Sequence, residues 1–250
     1  MSTANTVITV SNRKGGVGKT TTAVNLGHGL ALKGKSVLLV DVDPQGHIAP
    51  ALGLEQELGL FDLLVGGRPL RETIRKARPD LWVLPGNPRT ATVQTVLIAE
   101  GAGDDTLKQA IRGNVNGGLD FVILDTAPSV GRLQEMALAM ADLVIIPSAV
   151  DILSSAGVAD LVGSLDDLKA KGWPGRVLGI LPTFFDSVTK ESKANLADLT
   201  VAFGDLVLPV IHRATVLREC TAEGQTIFEL APTSRAAEEY AALVWRVLDA

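Results

Sequence analysis

Between Ser11 and Thr21 the chain reads Ser-Asn-Arg-Lys-Gly-Gly-Val-Gly-Lys-Thr-Thr. Gly15, Gly16 and Gly18 let the backbone wrap tightly and aim successive N–H groups at one anion. Lys19 adds the charge a polyphosphate needs, and the Thr20 hydroxyl is of the kind that ligates Mg²⁺. A helix-patterned run begins at Lys19, so the positive end of a helix falls at the same place. A bare glycine turn is the plainer alternative, but it explains neither the lysine nor the hydroxyl. Acidic residues follow downstream. Val-Leu-Leu-Val runs into Asp41-Val42-Asp43-Pro44-Gln45-Gly46, and Phe-Val-Ile-Leu runs into Asp125. Carboxylates ending apolar strands face the crevice that holds the glycine loop. There Asp125 can hold Mg²⁺ through a water, and Asp43 can hold a metal-bound water or orient an attacking one. Asp43 before Pro44 also suits a plain turn cap. Asp41 reads as structural or as an outer metal contact.

Short apolar runs must position these groups. Strands are expected over 7–11, 36–41, 81–84 (closed by Pro85-Gly86), 121–124, 143–146, 177–181 and 206–208. Helices are expected over 19–33 with Gly34 as stop, 92–111 with a break near 101–103, 154–171, 190–203 and 234–248. Strands alternating with helices predict right-handed crossovers and an α/β fold: one P-loop domain over 1–250, a mostly parallel twisted sheet with helices on both faces.

Composition narrows the class. Of 250 residues, 46% are hydrophobic and only 4% aromatic, which suits a Val/Leu/Ile/Ala core between helices. There is no signal-peptide pattern and no membrane-spanning run. Cys220 is the one cysteine, so an intrachain disulfide and a one-chain cysteine metal cluster are excluded, and a cytoplasmic protein is expected. It reads as a small core residue. His28, His47 and His212 have no ligand spacing. A net charge of −5 means that any DNA contact needs a local basic patch.

The strict P-loop pattern wants glycine where Arg13 stands. The segment KGGVGKTT, with the extra Lys14, instead resembles the deviant Walker A motif of the ParA/MinD family. DVDPQG and the run from Ile211 to Cys220 resemble further ParA segments. The resemblance covers nearly the whole chain. It implies that Lys14 reaches the phosphates of a partner subunit's nucleotide, where the residue alone reads as a solvated lysine. It implies an ATP- and Mg²⁺-binding sandwich homodimer, with Lys14, Lys19 and Asp43 in catalysis and Thr20, Asp43 and Asp125 on the metal. Gly15, Gly16, Val17, Gly18 and Thr21 complete the phosphate site, Asp151 faces the partner's ribose, and Thr183, Pro209 and Ile211 face the base. Arg213 and Arg218, widened by Lys190, Lys193 and Arg235, are expected on non-specific DNA, although each also suits a surface ion pair. The first of two prolines usual after the metal aspartate is Ala127 here.

Within the family, one cysteine does not suit an iron protein and a lone Tyr240 does not suit a tyrosine kinase. The 234–250 tail lacks the basic face of a membrane helix. A small, nucleoid-associated ParA without an N-terminal DNA-reading domain is expected. It would work with a ParB-like adaptor and be slow until stimulated. The alternatives are a DNA-independent nucleotide switch and a P-loop metabolic enzyme acting on a small acceptor.

Overall fold

Val37–Asp41 and Phe121–Asp125 are buried at every position, a pattern that fits strands covered on both faces. In a computed structural model describing residues 5–112, 118–150 and 154–250, these runs lie side by side near the middle of one sheet. Its strands are β1 (Thr6–Val10), β2 (Val37–Asp41), β3 (Arg75–Arg78), β4 (Leu81–Leu84), β5 (Phe121–Asp125), β6 (Leu143–Ala149) and β7 (Arg176–Thr183). The order is β3-β4-β2-β5-β1-β6-β7, with every neighbouring pair parallel except β3 and β4. Register carries the function: Asp125 pairs with Val10 on one side and Asp41 on the other. The end of the first strand and two carboxylates therefore arrive together.

Strand alternation sends Ile8 and Val10 to one face and Val7 to the other. The first face packs with Leu39, Ile123 and Ile145 against Leu26 and Leu30 of the Lys19–Ala31 helix and Tyr240 and Val244 of the Arg235–Leu248 helix. The second face packs with Leu38, Val40 and Leu124 against Val93, Leu107 and Met136 from three shorter helices. A third cluster lies under the Ser154–Ala170 and Lys190–Phe203 helices. Cys220 is buried in the first cluster, as expected of a core thiol.

One expected strand is missing and one unexpected strand is present, each for a local reason. Residues 206–208 do not form a strand. Gly204–Leu206 is a 3₁₀ turn, and one parallel bridge joins Val207 to Ile180 before Pro209, which has no N–H to extend a ladder. Conversely β3, with sequence Arg-Lys-Ala-Arg, carries no apolar signal. It pairs antiparallel with β4 at the sheet edge, where charged side chains guard against further pairing.

Candidate nucleotide-binding site

The glycine loop hangs between β1 and the Lys19–Ala31 helix, with Gly16 at φ 71° and Gly18 at φ 87°, a region open to glycine and strained for other residues. Its shape is held from outside. The buried Asn12 side chain accepts from the Lys14 N–H at 3.0 Å and donates to the Pro147 carbonyl at 2.7 Å. The Thr183 hydroxyl donates to the Val17 carbonyl at 2.9 Å. Arg13, where the strict pattern has glycine, points away: it donates to the Ser164 hydroxyl at 2.6 Å and lies 3.9 Å from Asp160. Lys19 is only 7% exposed, and its ammonium donates to the Lys14 carbonyl at 2.9 Å. Burial lowers its pKa, while Asp125 and Asp43 pull it back up. The helix thus delivers a cation beside two carboxylates.

The Thr20 hydroxyl donates to Oδ2 of Asp125 at 2.6 Å. Asp125 is 1% exposed, and its Oδ1 is buried without a hydrogen-bond partner. Burial pushes its carboxyl up to about 7; Thr20 and Lys19 hold it down, and Asp43 raises it further. An orphaned carboxylate oxygen beside a hydroxyl is a donor set that fits a hard divalent cation. Asp41 differs. Its two oxygens accept from the N–H groups of Asp43 and Ile48 at 3.1 and 2.9 Å, so it ties the following turn. Burial and the neighbouring Asp125 put its pKa well above the ordinary carboxylate value. Asp43 is half-buried, and one of its oxygens caps the turn through the Gln45 N–H at 2.9 Å. The turn cap and a place near Lys19 therefore hold together for this residue.

Gly86 fixes the turn from the far side. A Cβ there would lie 2.6 Å from the Asp43 carbonyl and 2.8 Å from that of Asp41, so only glycine lets the two loops touch. Spacing gave no sign of this, nor of Asn12 as a strut; an asparagine directly after the first strand is the one signal available.

A cavity of about 410 Å³ opens beside the loop, lined by Gly18, Thr21, Thr183, Phe184, Ile211 and Arg213 among others. Thr183 and Ile211 are where the base pocket was expected. Pro209 is not: it lines a separate cavity of about 570 Å³ with Leu208 and Trp245. Leu208 and Ile211 are the residues bonded back to Ile180 and Pro182, which turns Pro209 outward. Arg213 and Arg218, both exposed, line the loop-side cavity. Arg213 shares a further cavity of about 290 Å³ with exposed Arg235 and with His212, whose ring meets Glu239. Lys190 and Lys193 are exposed on the Lys190–Phe203 helix and line neither of Arg213's cavities. Asp151 lies outside the described residues. Among the described residues no helix is long and apolar enough to cross a membrane.

Comparison with known proteins agrees with this geometry. An AAA-domain family model matches residues 5–173. The chain is 39% identical over 244 residues to the chromosome-partitioning ATPase Soj of Thermus thermophilus, covering 96% of this chain and 94% of that one. It is 34% identical to the sporulation initiation inhibitor protein Soj of Bacillus subtilis, covering 94% of each. A Mycobacterium smegmatis cobyrinic acid a,c-diamide synthase, solved with an ATP analogue and magnesium, superposes with a TM-score of 0.83 at 29% identity over 98% and 94% of the two chains. The ATP complex of a Cyanothece McdA variant shares the fold, with a TM-score of 0.88 at 22% identity over 99% and 97%. With a glycine loop, a buried lysine and two strand-end carboxylates in one crevice, this chain belongs to the ParA/MinD family of P-loop ATPases.

Proposed function

We propose that this chain is a ParA-like ATPase whose ATP-bound homodimer holds DNA without regard to sequence and lets go on hydrolysis. The observation that carries the chemistry is the Thr20–Asp125 contact at 2.6 Å, with an orphaned Asp125 oxygen and the Lys19 cation beside it. Lys19 and the loop N–H groups hold the β- and γ-phosphates. Thr20 and Asp125, with Asp43, hold Mg²⁺, which supplies positive charge at the phosphate oxygens when bound. Asp43 orients the water that attacks the γ-phosphate, at the mouth of the site where its half-exposure suits it. Lys14 reaches the partner's phosphates, and Asp151 the partner's ribose. Thr183 and Ile211 border the base. The exposed Arg213, Arg218 and Arg235 meet DNA phosphates, with Lys190 and Lys193 as an outer fringe.

Soj of Thermus thermophilus is a chromosome-partitioning ATPase, and 39% identity over nearly the whole chain supports the same class of work here. A ParB-like adaptor that speeds a slow hydrolysis, and a nucleoid-associated place in the cytoplasm, follow from that class. The test is retention of a random-sequence duplex with ATP, ADP or no nucleotide across a salt series. Retention that needs ATP, ignores sequence and falls steeply with salt is expected. Duplex binding indifferent to nucleotide contradicts the proposal, and turnover of a small acceptor without DNA would select a metabolic enzyme instead.

A further inference from the structure

A carboxylate shares a cavity with two arginines and is bonded to neither. Glu239 lines the cavity of about 290 Å³ together with Arg213 and Arg235, yet among the described residues its ion-pair partner is His212. Its Oε2 accepts from the His212 backbone N–H at 2.9 Å, and its Oε1 meets the ring Nδ1 at 2.5 Å. The Glu239 side chain is only 15% exposed, so its carboxylate needs such partners. The other carboxylate lining this cavity, Asp186, caps its own turn through the Val188 N–H at 2.9 Å. Both acids are occupied, and the two exposed guanidiniums keep their charge for an outside anion. The same bonds join a rigid element to an irregular one. The Arg235–Leu248 helix is capped by the Ser234 hydroxyl and rooted in the core through Ala236, Ala237, Tyr240 and Leu243. After β7, by contrast, the chain passes through Phe184 at φ 55°, and Phe185 pairs with His212 in a single parallel bridge, the two rings edge to face at 5.1 Å. The Arg213 N–H then donates to the Phe185 carbonyl at 2.9 Å. Glu239 thus ties the residue before Arg213 to the helix that begins at Arg235.

We propose that Glu239 is a positioning residue of the DNA surface: its grip on His212 fixes Arg213 relative to Arg235, so that both guanidiniums are presented together to duplex phosphates. This rests on the proposed ATP-dependent DNA binding and deepens it. The sign of the effect separates a clamp from plain electrostatics. Deleting a carboxylate beside two phosphate-binding arginines strengthens DNA binding if charge alone counts. Deleting a positioning group weakens it, because the freed stretch must be ordered again each time DNA binds.

The experiment measures the affinity of the full chain for a random-sequence duplex with ATP and Mg²⁺ at low salt, beside its ATP affinity by calorimetry. Glu239→Ala, a change that a helix tolerates, is expected to lower duplex affinity about fivefold with ATP affinity unchanged. Glu239→Gln is neutral but can still bond both the His212 N–H and its ring, and is expected to bind duplex at or above the wild-type level. On an Arg213→Ala background, Glu239→Ala is expected to cost nothing further. Glu239→Ala that binds duplex as tightly as wild type, or more tightly, overturns the clamp. An undiminished loss in the absence of Arg213 overturns its action through that arginine. A parallel loss of ATP affinity overturns the positioning role in favour of general support of the fold. Wild-type protein that shows no ATP-dependent duplex binding overturns the DNA reading underneath.

Discussion

The phosphate side of the site and the base side are built by opposite means. On the phosphate side Lys19, Asp41 and Asp125 are all buried, and strand register sets Asp41 and Asp125 next to each other. The backbone of β1, β2 and β5 does the placing, so little is left to side-chain choice. On the base side Arg213 and Arg218 are exposed and project from the irregular stretch and short helix after Ile211. Three backbone hydrogen bonds tie that stretch back: Ile211 to Pro182, Phe185 to Ile211 and Arg213 to Phe185. A buried, register-fixed site tolerates almost no substitution, whereas a tethered surface stretch can be retuned for a new contact. The buried carboxylates and the exposed arginines are thus separated within one crevice.

The sharpest way to break that contrast is Lys19→Ala. The buried ammonium is central to the phosphate side, and its loss is expected to weaken ATP binding at least about 100-fold, or ~2.7 kcal/mol, by calorimetry. Near-normal affinity would mean that the loop backbone suffices alone. Asp43→Ala should keep ATP binding and lower kcat about 100-fold in a phosphate-release assay, with the nucleotide-bound protein held on DNA. On the base side, Arg213→Glu with Arg218→Glu should cost about tenfold or more in duplex affinity at low salt and flatten the salt slope, while ATP affinity changes far less. Equal losses of ATP and DNA binding would erase the distinction between the two sides.

The smallest effect expected is a gain. Asp125 is buried with an unpartnered oxygen, and its carboxyl is raised to about 7 in the folded chain. A raised pKa means the stability it contributes is full below the unfolded value and is lost as pH rises through the folded one. In chelator and without nucleotide, Asp125→Asn should therefore raise the melting temperature at pH 8 by a few degrees, about 1 kcal/mol, with the gain fading toward pH 4. An unchanged or lower melting temperature at pH 8 would show that Asp125 is not a strained charge.

Legibility in the sequence follows the same division. An apolar strand ending in aspartate is a weak signal alone, but its order after the glycine loop made the central strands and the meeting of Thr20 with Asp125 legible. Lys190–Phe203 was legible to the residue, because Thr189 caps it and Gly204 ends it. The edge strand β3 was not, since charge replaces apolar pattern at an edge. Gly86 and Phe184 were not either: one matters for a close approach between loops far apart in sequence, the other for a backbone angle. Neither leaves a periodic mark. Which cavity Pro209 lines was not legible, because residue order cannot say which side of an irregular segment faces a cavity.

Sedimentation velocity over a concentration series, with ATP and Mg²⁺ and the Asp43→Ala substitution to prevent turnover, addresses the shared-nucleotide dimer most directly. The expected result is a doubling of mass with ATP, none with ADP, and none with ATP once Lys14→Ala is added. A species that stays a single subunit with ATP at every concentration, or an unaltered dimer without Lys14, would contradict it.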